Sequence, residues 1–407
     1  MWLARSIAGA WLTKLAAMSA THGALPRCNA AEALYALDHV RDAVVTLCPS
    51  PRWLELAANA YPCMRTFIDI GSNKGHTGAS FFGLWAREAS GLHGIHHWWQ
   101  VAWNHSKGHC GYCKDCLEIE RARPVNCSKD PAAGPHAIRV HSFDGSHTLV
   151  EHVSHARSQV APRLQDLWSV HWAVVSNRSG MATFGQGAGE TSHIQDALPP
   201  SGLPGKDGQT SRVRMWTLDE FATVHNLPIV DVLKIDAEGH DPMVLYGASH
   251  TLRTRQVKLL FFEHGLFPSW VSIRLKSVIA LLEDAGYACY LGGEVAMVRL
   301  TGCWRDEWDL FHPQTGLIHG GNRALGVNVF CASLAHAPAL VDAFEAASLW
   351  RGRSRAGMLA ECAELCKPQV LSRHDRSKIS RRTNASIGPA RMKVAKDAGL
   401  LLPNFGP

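Results

Sequence analysis

"VDVLKIDAEGHDPMVLYGA", residues 230–248, changes character twice. Val230, Val232, Leu233 and Ile235 form an apolar run too short for a helix and suited to a strand covered on both faces. Asp241 followed by Pro242 reads as an N-cap with proline at the first helical position. Met243, Val244, Leu245 and Ala248 then continue as a helix with one apolar side. The charged cluster between them therefore stands at the carboxyl end of a buried strand, in the turn before a helix. In open α/β sheets, ligands bind along that edge. The competing reading of Glu238 and His240 is an ordinary solvated turn.

The same strand–turn–helix rhythm runs outward in both directions. "RTFIDIGSNKGHTGASFFGLW" gives a strand at 66–70, a glycine-rich turn and a helix carrying Phe81, Phe82 and Trp85. "HAIRVHSFDGS" gives a strand ending at Phe143 and Asp144, then a helix through Val150 and Val153. "SVHWAVVSN" leads into a turn at 177–180 and a short strand at 181–184, and "RVRMWTLDEF" is a strand followed by a helix start. "VKLLFFEH" is one more buried strand, ending in Glu263 and His264; a helix is expected over 271–285, and "YACYLGG" and "EVAMVRL" read as two closing strands. Alternating strands and helices predict an α/β fold: a doubly wound, Rossmann-like and mostly parallel sheet with helices on both faces.

The remaining segments break that rhythm. Residues 91–134 show little periodicity and hold Cys110, Cys113, Cys116 and Cys127 with His105 and His109, so they read as a Cys/His-rich insertion. That spacing suits either a zinc site or local disulfides, the redox compartment being undecided; an iron–sulfur cluster is disfavoured because no Cys-Pro ends it. Trp98, Trp99, Trp103 and Tyr112 nearby read as a small satellite core, with an aromatic platform for the acceptor as the alternative. Residues 1–60 carry an acid-poor, basic start compatible with organellar or secretory targeting, followed by a helical extension. Residues 61–300 form the main domain, 301–350 a C-terminal extension, and 351–407 a basic tail expected to be disordered. No aromatic residue is interleaved with the arginines and lysines of 351–396, so base stacking has no platform and nucleic acid is not an expected partner. No run in the body of the chain is long and apolar enough to span a bilayer.

The turn after the first strand, Asp69-Ile70-Gly71-Ser72-Asn73-Lys74-Gly75, decides between nucleotide-like ligands. A dinucleotide fold wants G-x-G-x-x-G, with the second glycine admitting a pyrophosphate. Asn73 stands where that glycine belongs, and Asp69 would repel a diphosphate. An acid there suits a cation, and S-adenosylmethionine offers a sulfonium and an ammonium without phosphate. At the second strand end, Asp144 can accept hydrogen bonds from both hydroxyls of a ribose.

With these residues, "FIDIGSNKGH", "VLKIDAEGHDPMVLYGA" and "LLFFEHG" together resemble the FkbM-type methyltransferases, S-adenosylmethionine enzymes with a class I sheet. The resemblance covers residues 67–293, apart from the insertion and a Gly/Pro-rich loop at 185–208. "RVRMWTLDEF" and "AVVSNRSGMATF" fit the same pattern. Where the family usually has Phe-Glu-Pro, Phe143-Asp144-Gly145 stands here. The resemblance implies that Gly71 and Gly75 admit the methionine part of the cofactor, that Asp69 orients its ammonium, and that Asn73 meets its carboxylate. Asp144 would take the ribose, and Glu238 either binds or caps. Asp236 would lie nearest the sulfonium and acceptor, with His240, Glu263 and His264 as candidate bases. The expected activity is O-methylation of a hydroxyl on a small molecule or glycan. The alternative is a non-catalytic binding protein that keeps the fold and uses the insertion and tail for partners.

Overall fold

A computed structural model of the chain describes residues 27–29, 31–33, 36, 52–102, 138–160, 162–185, 193–194, 210–254, 257–265, 268–293, 296–309 and 326–349. The cysteine cluster at 110–127, the targeting-like start and the basic tail lie outside the described residues. The strands in chain order are β1 (Thr66–Ile70), β2 (Arg139–Asp144), β3 (Trp168–Val175), β4 (Gly180–Gly185), β5 (His193–Ile194) and β6 (Thr210–Trp216). They continue with β7 (Val232–Ile235), β8 (Leu259–Gly265), β9 (Tyr287–Gly292), β10 (Met297–Arg299) and β11 (Gly326–Ser333). All join one 11-stranded sheet in the order β10-β9-β11-β8-β7-β1-β2-β3-β6-β4-β5.

The helices are α1 (Arg52–Ala60), α2 (His76–Trp85), α3 (Arg87–Ser90), α4 (Ile95–Ala102), α5 (His147–Val160) and α6 (Leu164–Leu167). After them come α7 (Leu218–Val224), α8 (Asp241–Tyr246), α9 (Ser249–Thr254), α10 (Pro268–Ser272), α11 (Leu275–Asp284) and α12 (Pro338–Ala346). Why helices must cover both sides follows from strand alternation. In β7 Val232 joins one core, while Leu233 and Ile235 join the other; β8 splits the same way, Leu259 and Phe261 against Leu260 and Phe262. The first core is completed by Trp53 of α1, Phe81 and Phe82 of α2, Trp98 of α4, Val153 of α5 and Phe344 of α12. The opposite core takes Phe221 of α7, Val244 of α8, Leu252 of α9, Trp270 of α10 and Val278 of α11.

Several expectations need correction. The sheet is parallel through β8-β7-β1-β2-β3-β6, but β11 runs antiparallel to β8 and β9, and β4, β5 and β10 are antiparallel as well. The sheet does not close at residue 300. Strand β11 fills the place between β8 and β9, and α12 packs on the core, so these two elements of 301–350 are built into the sheet and its core. Nor is all of 1–60 outside the domain: Trp53 is fully buried and its indole donates to the Gly293 carbonyl at 2.9 Å. Within 91–134, residues 95–102 are helical, and Trp98 packs on Trp168 at 5.0 Å between ring centroids. The helix expected over 271–285 is two pieces, α10 and α11. Disulfides join Cys28 to Cys303, and Cys289 to its register partner Cys331 across β9 and β11. Among the described residues no helix is long and apolar enough to cross a membrane.

Candidate functional site

The carboxyl ends of β1, β2 and β7 are stitched together by main-chain bonds. Gly71 and Ser72 both donate to the Phe143 carbonyl at 3.0 Å, and Asp236 donates to the Ile70 carbonyl at 2.9 Å. Gly71 adopts φ 74°, and a Cβ there would lie 1.8 Å from the Asp236 carbonyl oxygen. Glycine is thus required at 71 by the neighbouring strand. Asn73, at φ 47°, turns its N–H onto the Asp144 carboxylate at 2.9 Å, and the Ser146 N–H donates to the other oxygen at 2.8 Å. Burial pushes the Asp144 carboxyl up to about 6, against the pull of those two N–H groups.

Lys234 is the register partner of Asp69 and is buried with it. Its ammonium donates to the Gly71 carbonyl at 2.6 Å and lies 3.2 Å from Asp69 and 3.5 Å from Asp236. Two acids, Asp69 on the adjacent strand and Asp236 just past the end of β7, hold this lysine. Burial alone would lower the Lys234 pKa, but Asp69 and Asp236 outweigh it and hold the ammonium above its ordinary value. Burial raises the Asp69 carboxyl above its ordinary value, only partly offset by Lys234.

The turn after β7 is held in an uncommon shape. Glu238, a non-glycine residue, sits at φ 51° and Gly239 follows at φ 88°. A left-handed glutamate costs roughly 1–2 kcal/mol, so this backbone is fixed by its surroundings. The fixing group is Asp241, which is fully buried. It is not the N-cap expected from the sequence: His240 takes that position, and Asp241 begins the helix. The Asp241 carboxylate accepts from Gly239 at 3.2 Å and Ala237 at 3.4 Å, and on its other oxygen from Glu263 of β8 at 3.1 Å. Burial, aided by the charge of Asp236, pushes its pKa up to about 7.

These elements border a cleft of about 660 Å³, its open solvent side included. Six of the candidate residues line it: Gly71, Asn73, Asp144, Asp236, Glu238 and His240. Asp69, Gly75 and Glu263 do not. Asp69 lies behind the wall as the lysine's counter-ion. Gly75 is the left-handed residue that starts α2, where a Cβ would press on Trp98 and Trp168. Glu263 is buried in β8, opposite Asn328 of β11, and His264 is buried against Trp270 and 3.7 Å from Asp309. Burial drops the His264 pKa to about 3.

Two features of the site escaped the sequence reading. Phe184 of β4 faces the cleft beside Gly145, where a Cβ would come within 2.3 Å of its ring. Gly145 was visible only as a departure from a motif; its partner forty residues on could not be. Ser176, just after β3, shares a 2.9 Å hydrogen bond with Nε2 of His240, and burial with the nearby charge of Arg178 lowers that histidine to about 4.

A mixed sheet with a cleft across the carboxyl ends of its parallel strands, and a carboxylate fixed at the second of them, defines an α/β protein with a candidate ligand site at its strand edge. The methyltransferase FkbM domain matches residues 69–289, more than half of the chain, and the chain belongs to that family. Membership supports methyl transfer as its activity. No curated protein and no solved structure matches the chain significantly.

Proposed function

We propose that the chain transfers a methyl group from S-adenosylmethionine to a hydroxyl on a small molecule or glycan. The observation that carries the reading is Asp144: each carboxylate oxygen accepts one main-chain N–H and keeps further acceptor capacity toward the cleft. Such a group fits the paired hydroxyls of a ribose. The strand order and the two-sided core also agree with a class I methyltransferase sheet. The cofactor, when bound, supplies a methyl group on a positively charged sulfur. Asp144 holds the ribose, Gly71 and Asn73 border the amino-acid end, and Asp236 presents negative charge at the end of β7.

His240 is the candidate base with access to the cleft. Ser176 Oγ also lies 3.3 Å from Asn177 Oδ1, so one arrangement satisfies every donor. Nε2–H donates to Ser176, Ser176 donates to Asn177, and Nδ1 is left unprotonated to accept a hydroxyl proton. This tautomer is assigned from the hydrogen-bond network. With its pKa near 4 the ring is neutral at physiological pH, which leaves Nδ1 open as a hydrogen-bond acceptor that orients the hydroxyl but makes it a weak base in the ligand-free protein. The non-catalytic alternative has no observation in its favour.

Asp236→Asn keeps size and most hydrogen bonding while removing one charge, and Lys234 retains Asp69. Near-normal stability is expected, with measurable cofactor binding and methyl transfer reduced tenfold or more, about 1.4 kcal/mol of barrier or above. His240→Ala should do less, since aligning the acceptor at an activated methyl carries most of the rate. An Asp236→Asn protein that unfolds, with unaltered turnover in whatever remains folded, makes the residue a structural element instead.

Cofactor binding should also depend on pH. The Asp144 carboxyl titrates near 6 in the ligand-free protein, and a ribose is best held by its ionised form. S-Adenosylhomocysteine affinity should therefore climb as pH rises through about 6 and level off above 7, with a slope approaching tenfold per unit on the acid side. Calorimetric titrations across that range, on the wild type and on Asp144→Asn, provide the check. The variant should bind weakly and with a flat profile; a flat wild-type profile removes Asp144 from the ribose site.

A further inference from the structure

Ile194 and His240 line two cavities. Besides the cleft already described, they border a second one of about 660 Å³, with its solvent side, walled by Ser176, Asn177, Arg178, Ala182, Met215 and Met243. Its composition is divided. Ala182, Ile194, Met215 and Met243 give an apolar wall, while Asn177 and Arg178 supply the polar end. His240, with its bond to Ser176, joins this cavity to the cofactor cleft.

Arg178 is exposed, and among the described residues no carboxylate pairs with it. The nearby acids are occupied elsewhere. Glu220 is taken by Arg214 at 3.4 Å and by the Ser179 hydroxyl. Asp219 accepts from the N–H groups of His250 at 3.0 Å and Thr251 at 2.7 Å. Asp241 is committed to Gly239, Ala237 and Glu263. The arginine is nonetheless close enough to His240 for its charge to disfavour protonation of the ring. A guanidinium beside an apolar cavity, with no counter-ion among the described residues, suits a planar anion held in a two-pronged bond. The cofactor's own carboxylate does not meet it, because the proposed function puts that end at Gly71 and Asn73, which line the other cavity.

We propose that the second cavity is the acceptor site and that the acceptor is an amphipathic hydroxy acid. Its carboxylate pairs with Arg178 and Asn177, its apolar body lies against Met215 and Met243, and its hydroxyl reaches His240. This inference rests on the methyl-transfer reading for the identity of the acceptor, though not for the anion site itself.

The test uses the full-length chain and two near-isosteric probes, 4-hydroxyphenylacetate and 4-hydroxyphenylacetamide, titrated calorimetrically with and without S-adenosylhomocysteine. The acid should bind about tenfold more tightly than the amide, the magnitude of one charge-assisted contact. Arg178→Gln should bring the acid down to the level of the amide while leaving amide and S-adenosylhomocysteine affinities unchanged. Equal affinities in the wild type, no binding of either probe at millimolar concentration, or a preference for the acid that survives in Arg178→Gln would each overturn the proposal. Failure of S-adenosylhomocysteine to bind would overturn the methyl-transfer reading instead, and the comparison of acid with amide in its absence would still be decided.

Discussion

Lys234→Met should destabilise the protein by about 3–5 kcal/mol, because removing one partner of a buried ion pair leaves the other charge uncompensated. Asp69 is fully buried and Lys234 nearly so, and the ammonium is the cation within reach of both Asp69 and Asp236. Methionine matches the length of the lysine stem, so packing loss is small and the electrostatic loss dominates. Pairing the change with Asp69→Asn removes the stranded charge, and the double variant should recover a large part of the deficit. The deficit should also depend on pH, with a definite sign. Burial already holds the Asp69 carboxyl above its unfolded value, and loss of Lys234 raises it further. Between the unfolded pKa near 4 and the raised folded value, the folded state binds the extra proton, so the variant loses stability as pH rises. Its deficit should therefore shrink on acidification toward pH 4. Urea denaturation at several pH values measures all of this; a cost under about 1 kcal/mol at neutral pH would show that Asp69 is already protonated and the pair is not an ion pair.

That interaction also marks where the sequence stops being readable. The central strands were legible because strands buried on both faces read as short, largely apolar segments. The lining residues Gly71, Asn73, Asp144, Asp236, Glu238 and His240 were legible for a related reason: each stands at or just after the carboxyl end of a strand. Partnership across the sheet was not. Asp69 and Lys234 are far apart in the chain and become neighbours only through the register of β1 on β7. Strand β11 was missed on similar grounds, since its place between β8 and β9 is set by a non-local pairing and no strand–helix rhythm announces it. The place of Glu263, away from the cleft, was hidden for a different cause. "VKLLFFEH" is apolar on both faces, so alternation cannot tell which side its last acid takes. The Asp241 cap was misplaced by one residue, because its carboxylate reaches backward into the turn and sideways to β8, both outside what a local capping pattern encodes.

Gly71→Ala should be as damaging as any single methyl group added to this protein. Two costs combine. At φ 74° an alanine is strained by roughly 1–2 kcal/mol whatever the space around it. The added Cβ would also stand 1.8 Å from the Asp236 carbonyl oxygen, a backbone atom that no rotamer change can move. Relieving that overlap means parting β1 from β7, and with them the Asp236 N–H from the Ile70 carbonyl and Lys234 from the Gly71 carbonyl. A total loss above about 4 kcal/mol is expected, at the severe end for point variants. Gly286→Ala separates the two costs, because Gly286 has φ 87° but open space around its missing Cβ. It should lose only the dihedral part, roughly 1–2 kcal/mol. Should the two variants prove equally stable in urea, the turn after β1 does not rest on the end of β7. A large gap between them gives Gly71 a different meaning from the one its motif suggests. Its first duty is to let one strand end lie on another, and access for a ligand is a consequence. The close approach that excludes a Cβ also sets Asp236 and Asn73 on the same cleft, so the position that costs most stability is the one that assembles the site.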